Sequence, residues 1–445
     1  MPSRSRLVIL WLALFFWLSG LPFCFAQNVD EISLPDVAEP ANAITKSTTD
    51  PYLALDRLIA SAVQKHPSIA SARAEQGATQ AEIASARGQY WPTPSMQVLQ
   101  REGNTAAVLT VQQPLWAGGR LDAGLAAAQS RADSAQALVS DAQYNLALRM
   151  TAVWADWIQA HGRMEALTEG VGLLNGYAES VSRRIQGGAS AEVDRELIAA
   201  RLAQTQGDLA DANSAERSAL ARLSQMVGQS LRTEDLTDHG EGVQIAVVTS
   251  PVSPLPTLEA LLAQAVARSA ALKRLESDIE AAKRGTDKKR AALWPVLSLR
   301  AQRDYDGGSD ANNLAANDSQ VMLVLEYAPG AGLSARADVD AAAAREIGLR
   351  EGLDAARREL VEKVNIDYEE HLASLQRSSK LQRTAEANAK VLASYDRLFV
   401  AGKRSWLDVI NAAREFTQVR TALADIQAKQ LASRYRLRLH AWGAF

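Results

Sequence analysis

The sequence predicts a mainly α-helical chain with a small β part. It reads as a tandem duplication of long antiparallel helices, each copy carrying one β-hairpin, four strands in all. Three observations support this. Leu58–Val63 (Leu-Ile-Ala-Ser-Ala-Val) recurs as Leu261–Val266 (Leu-Leu-Ala-Gln-Ala-Val). At the same spacing Trp91-Pro92 recurs as Trp294-Pro295, and each pair closes an Ala- and charge-rich run and opens a short alternating stretch. From Arg120 the chain is free of proline until Pro251 and rich in Ala, Leu, Gln, Arg and Glu, all good helix formers. Self-similarity over whole supersecondary units marks a structural repeat.

The N-terminus has Arg4 and Arg6, an apolar run from Leu7 to Leu18, and small residues at Cys24 and Ala26. This is the pattern of a secretory signal peptide over residues 1–26, cut after Ala26. Its apolar run is too short for a stable membrane span. Cleavage there removes Cys24, the only cysteine, so no disulfide chemistry is expected in the mature chain; a lipoprotein reading of Cys24 is the weaker alternative, because bulky Phe23 precedes it. Residues 27–50 read as a polar, proline-containing lead-in. The formal net charge of -3, with no basic block, gives no reason to expect nucleic acid as a partner.

The first structural repeat is placed at 51–235. Its first helix runs from Pro51-Tyr52 to Lys65 and is broken at His66-Pro67; a second spans Ser68 to Tyr90. Strands are expected over Pro94–Arg101 and Ala106–Gln113, joined by Glu102-Gly103-Asn104-Thr105, where the Gly-Asn pair signals a hairpin turn. Pro114 through Gly119 ends the hairpin. A long helix follows, with a heptad seam at Met150, Val153, Trp157, Ala160, Met164, Leu167, Val171, Leu174 and Ala178. Gly187-Gly188 breaks it, and a further helix covers Ala191–Val227. Residues 236–256 form a linker.

The second repeat, 257–445, follows the same plan. Helices are expected over Leu258–Arg268 and Ala270–Leu293, and strands over Val296–Arg303 and Gln320–Tyr327. A long helix reaches Val400, Ala401-Gly402 turns it, and a last helix runs to Ala441. Each long helix has roughly 65 residues, about 100 Å. The two shorter helices flanking it in sequence together reach about 90 Å, so one continuous helix can lie beside two stacked ones.

The strands alternate. Val321, Leu323, Leu325 and Tyr327 share one face, with Gln320, Met322, Val324 and Glu326 on the other. An apolar face opposite a more polar one is the pattern of a barrel wall between lipid and a wet lumen. Four strands cannot close a barrel, and open edges are not viable in lipid, so several chains must contribute. A second reading stays open from the residues: a soluble periplasmic coiled-coil scaffold, which fractionation separates from a channel.

Enzyme signals are absent. His66, His161, His239, His371 and His440 form no HxxH or HExxH spacing, and Gly170-Val171-Gly172 lies inside the heptad seam without a preceding strand. No catalytic residue, metal or cofactor is expected. Glu369-Glu370-His371 reads as a helix face, Trp154 and Trp157 as packing residues, and Trp91, Trp116 and Trp294 as interfacial anchors, with plain packing the other reading of these three.

The turns that end the long helices carry a resemblance. Gly188 stands six residues before Asp194, as Gly402 does before Asp408, and Leu407-Asp408-Val409-Ile410-Asn411-Ala412 resembles the helix-tip segment of the TolC-type outer-membrane channel family. The first copy departs from that pattern at Val193-Asp194-Arg195-Glu196. The resemblance covers the chain after the signal. It implies a homotrimer whose twelve strands form one outer-membrane β-barrel, continued by a periplasmic α-barrel. It also implies docking of a periplasmic adaptor (membrane fusion) protein at Gly188, Ala189, Gly402 and Lys403. Asp408 would form an acidic ring at the pore constriction, with Asn411 where relatives often carry a second acid. Arg404 and Asp194 would latch the closed tip, and Phe399 stands where relatives can use a tyrosine. Finally, Gln113-Pro114-Leu115-Trp116-Ala117-Gly118-Gly119-Arg120 resembles the subgroup serving type I protein secretion, with an ABC-type inner-membrane transporter and a large adhesin as one cargo. Multidrug or small-molecule efflux is the alternative.

Overall fold

The computed structural model describes residues 52–101, 104–236, 255–306, 319–328, 330 and 334–442. The expected signal peptide, the lead-in and residues 237–254 of the linker lie outside them. The first repeat contains α1 (Leu53–Lys65), α2 (Pro67–Gly88), β1 (Thr93–Arg101), β2 (Asn104–Trp116), α3 (Arg120–Gln186), α4 (Glu192–Val227) and α5 (Thr233–Leu236). The second contains α6 (Leu258–Arg268), α7 (Ala270–Ala291), β3 (Val296–Asp306), β4 (Ser319–Glu326), α8 (Ala335–Val400) and α9 (Trp406–Trp442). The one-turn α5 was not anticipated; it forms where Asp235 turns back to accept from the Arg232 N–H at 2.7 Å.

Helix α3 has 67 residues and α8 has 66, so each extends about 100 Å. Along α3, α2 and α4 pack end to end, and α7 and α9 pack on α3 as a second stack; α8 lies against that stack. One continuous helix thus runs beside two shorter ones in both repeats. The main core gathers Leu55, Ile59, Met150, Trp154, Trp157, Leu223 and Tyr435 from α1, α3, α4 and α9. Burying one such large apolar side chain contributes about 1.5–3 kcal/mol. No described helix is long and apolar enough to cross a membrane.

The four strands form one antiparallel sheet in the order β1-β2-β3-β4. Strands β2 and β3 come from different repeats, so the sheet is where the two copies join. Strand boundaries differ from expectation: β3 continues to Asp306 instead of ending at Arg303, β1 begins one residue earlier, β4 shifts by one residue, and β2 is longer at both ends. Asn104 pairs with Arg101, so the first hairpin leaves only Glu102 and Gly103 between its strands, and these two lie outside the described residues. Strand β2 also continues through Pro114 to Trp116, with a register shift between them. A proline in a strand paired on both sides needs such an irregularity, because it has no N–H to give the ladder.

After that shift the chain enters α3 through Gly118 (φ 58) and Gly119 (φ 84). A Cβ on Gly118 would lie 2.8 Å from the Cβ of Trp294, so only glycine lets the two junctions pack against each other. The repeated Trp-Pro junction and the Gly-Gly segment meet here, at the base of the sheet.

Candidate functional site

Two regions carry the features expected of a channel: the sheet and the helix tips. On the sheet, register places Met96 opposite Leu109, Leu299 opposite Leu323, and Ala301 opposite both Val111 and Val321. These residues share one face by the two-residue period of a strand. The face is apolar and bare: Met96 is 67% exposed, Val98 60%, Val321 73% and Leu323 67%. The opposite face is polar and tied together. Gln112 donates to Ser298 Oγ at 3.0 Å, Arg300 donates to Gln112 Oε1 at 3.3 Å, and Gln302 donates to Asp304 at 2.9 Å. Trp91, Trp116 and Trp294 are all exposed at the base of the sheet.

At the far end of the helices, the first tip closes α3 with Gly188 at φ 71. The Ala189 N–H reaches back to the Arg184 carbonyl at 2.8 Å, and the Gly188 N–H to Ile185 at 2.9 Å. The second tip repeats this at Gly402 (φ 72), with Lys403 donating to Leu398 at 2.8 Å and Gly402 to Phe399 at 3.0 Å. Both are left-handed caps that satisfy the last helical carbonyls. Gly188, Ala189, Gly402 and Lys403 are all exposed, and a Cβ on either glycine would meet nothing within 4 Å. The tips stand next to each other: Leu174, Val181, Ile198 and Ile410 join α3, α4 and α9, while Leu392, Phe399, Val409 and Phe416 join α8 to α9.

The charged tip residues are arranged differently from the expected latch. Within one chain Arg404 and Asp194 are not joined. Asp194 accepts from the Ala191 N–H at 3.2 Å, capping its own helix. Arg404 lies 3.6 Å from Asp408, one turn along, and stacks over the Tyr395 ring at 4.5 Å. Asn411 is exposed on the next turn. Phe399, which lacks the hydroxyl expected of that position in relatives, is buried beneath the Arg184 guanidinium at 4.9 Å. Arg184, Tyr395 and Ser405 were not singled out from sequence. Only Ser405 left a local signal, a serine three residues before an acid at a helix start; its Oγ accepts from the Asp408 N–H at 3.2 Å.

A buried polar belt also ties the long helices together above the tips. His440 of α9 contacts Asp367 of α8 at 2.9 Å and the Tyr144 hydroxyl of α3 at 2.6 Å. Arg436 adds hydrogen bonds to Asp367 at 2.7 Å and Glu370 at 2.5 Å. Burial alone would raise the Asp367 carboxyl, but the His440 and Arg436 contacts hold it below the usual carboxylate range. Glu370 and His371, neighbours in sequence, are therefore parts of a helix–helix contact: His371 is buried with its Nδ1 3.4 Å from Ser433 Oγ. Burial, assisted by Arg434, pushes the His371 imidazole down.

The family model described as outer membrane efflux protein matches residues 58–229 and 261–443, one stretch in each repeat. Among solved structures, the outer-membrane channel OprN shares 18% identity with a TM-score of 0.74, covering 89% of this chain and 91% of that one. The outer membrane protein VceC from Vibrio cholerae shares 17% identity with a TM-score of 0.72, covering 88% and 96%. The open state of the Neisseria gonorrhoeae MtrE outer membrane channel shares 14% identity with a TM-score of 0.73, covering 88% and 89%. At such identities the likeness is one of fold. No curated protein matches the chain.

Proposed function

The chain belongs to the outer membrane efflux protein family, and from that premise we propose that three copies close one conduit serving type I protein secretion. As a member of that family it is a non-enzymatic outer-membrane channel of a tripartite export system, reaching from the outer membrane into the periplasm. The observation that supports closure by several copies is the sheet. It has four strands, so β1 and β4 each keep one unpaired edge, beside a bare apolar face. Open edges are not tolerated in lipid. Three copies supply twelve strands, and the heptad-packed helices continue the wall inward. The polar face then lines a wet lumen.

The duct is passive. It holds no chemistry of its own, and energy comes from an inner-membrane transporter of the ABC type through a periplasmic adaptor. The exposed tip residues Gly188, Ala189, Gly402 and Lys403 support adaptor docking at that end. Asp408 supports a ring of three carboxylates at the constriction, where converging like charges attract cations. Arg404 and Asp194 would then latch the tip across neighbouring helices of the assembly, because they do not pair within a chain. The segment Gln113–Arg120, packed through Gly118 onto Trp294, favours protein cargo by its resemblance to the secretion subgroup. The description of the matched family favours a second reading, efflux of small molecules.

Deletion of the gene distinguishes the two. Loss of a large secreted protein with unchanged drug susceptibility is the expected result. An unchanged set of secreted proteins with heightened susceptibility would replace protein cargo by small molecules.

A further inference from the structure

Among the described residues, the bare face of the sheet carries one charge. Arg303 of β3 lies on it by register, directly opposite Leu109 on one side and Ser319 on the other. It is exposed, and its guanidinium stacks over the Tyr305 ring at 5.1 Å. Its neighbours on that face are Ala301, Val111 and Val321, none of them acidic, and among the described residues it has no carboxylate partner. The nearest acid in sequence, Asp304, points to the other face and accepts from Gln302. A charge on a lipid-facing wall costs about 2–4 kcal/mol at the bilayer midplane and about 0–1 near the interface. Depth therefore decides whether Arg303 is tolerable.

The aromatic residues give the depth. Trp294 marks the base of β3, at the helical, periplasmic end, and Tyr305 marks the other end. About eleven residues separate them, about 36 Å along a strand, or roughly 28 Å along the membrane normal at a tilt of about 40°. That matches an apolar band about 25 Å tall flanked by two aromatic girdles. Arg303 then sits just inside the outer girdle, within reach of the headgroups of the outer leaflet. Strand β3 is paired on both sides within its own chain, so strands of a second copy add at β1 and β4, away from Arg303.

We propose that Arg303, held upright by Tyr305, binds a phosphate of the phosphorylated glycolipid that forms the outer leaflet. The inference rests on the sheet being a lipid-embedded wall. The planar guanidinium presents parallel N–H donors that match a phosphate, and the aromatic face orients it without neutralising it. The apolar residues below take the acyl chains, so one lipid meets both chemistries at once.

The test uses the intact protein purified from outer membranes in detergent, with native mass spectrometry reading bound lipid A. Lipid A bearing both phosphates should bind the wild type and survive dilution; dephosphorylated lipid A should bind about tenfold more weakly, the size expected for losing a charge-assisted hydrogen bond. Arg303→Gln should erase that preference, and Arg303→Lys should restore part of it as a point charge without the fork. Tyr305→Leu should weaken it less than Arg303→Gln. Equal retention of both lipids by the wild type, or undiminished preference in Arg303→Gln, overturns the proposal while leaving the barrel intact. Recovery of the wild type in the soluble periplasmic fraction would instead overturn the barrel reading and this inference with it.

Discussion

The two helix tips have the same turn and put their acids to different use. Gly188 and Gly402 adopt φ 71 and φ 72, and the long back-bonds of Ala189 and Lys403 are both 2.8 Å. The next helix starts differently. In the first tip the residue before α4 is Ala191, whose side chain has no oxygen to accept a backbone N–H, and Asp194 bends back to the Ala191 N–H. In the second tip Ser405 accepts from the Asp408 N–H, and the Asp408 carboxylate is left to face Arg404. The capping residue thus differs, alanine in one tip and serine in the other, and so does the use of the acid three residues later: Asp194 serves its own helix, and Asp408 faces Arg404. Duplication supplied two equivalent turns, and the caps made them unequal.

The most severe way to break this pair is to replace its glycines. A left-handed residue other than glycine costs about 1–2 kcal/mol, confined to the turn, since the space around Gly402 is open. Gly402→Trp should abolish export while the trimer still reaches the outer membrane. Gly188→Trp should impair export less, because the first tip departs from the family pattern. Loss of the trimer in either variant would make the glycine a folding residue instead of a docking one.

Single-channel recording in planar bilayers separates the acids. Asp408→Ala should lower cation selectivity, whereas Asp194→Ala should leave it unchanged, and Arg404→Ser should raise conductance by freeing the tip. Selectivity that falls equally in the two aspartate variants would mean that both carboxylates line the pore. A smaller effect tests the cap itself. Ser405→Ala should cost about 1 kcal/mol and draw Asp408 back toward its own helix, giving a selectivity between those of the wild type and Asp408→Ala. Wild-type currents in that variant would remove the capping explanation.

The smallest effect lies away from both tips, in the buried belt, and serves as their control. His371 titrates lower in the folded chain than its ordinary value of about 6.5. Between that ordinary value and the lowered one, the unfolded chain binds a proton that the folded chain refuses. Stability contributed there is present above about pH 6.5 and lost as pH falls. Heat dissociation of the trimer followed on gels should drop between pH 7.5 and 5.5, and His371→Gln should flatten the decline without changing channel selectivity. An unchanged slope would show that another group governs the acid response. Asp367 acts lower still: its depressed carboxyl contributes above about pH 4 and is lost as pH falls through its folded value.

Much of the architecture was legible in local pattern. The repeat of Leu58–Val63 at Leu261–Val266 announced the duplication, and helices α6 and α7 begin where their Leu258 and Ala270 were expected to start. Strand alternation predicted the bare face that holds Val321 and Leu323, and the tip glycines were visible as breaks in long helical runs. These features follow from periods of about two and 3.6 residues and from backbone preferences, which a sequence carries residue by residue. Pro114 was misread as the end of a strand because a proline signals a break locally, while the register shift that accommodates it depends on β3.

What the tertiary structure alone decided involves partners far apart in the chain. The pairing of β2 with β3 fuses the two repeats, and no local period specifies it. Tyr144, His440 and Asp367 meet across three helices, and Arg184 covers Phe399 across two. The choice of Asp194 for its own backbone and of Asp408 for Arg404 was written in nearby residues, yet it needed the tip geometry to be seen. Sequence periodicity determined which faces the elements would present and how long the helices would be, within a few residues. Which buried or tip charges would face one another depended on how the helices stacked, because a side chain's partner is set by packing across the fold.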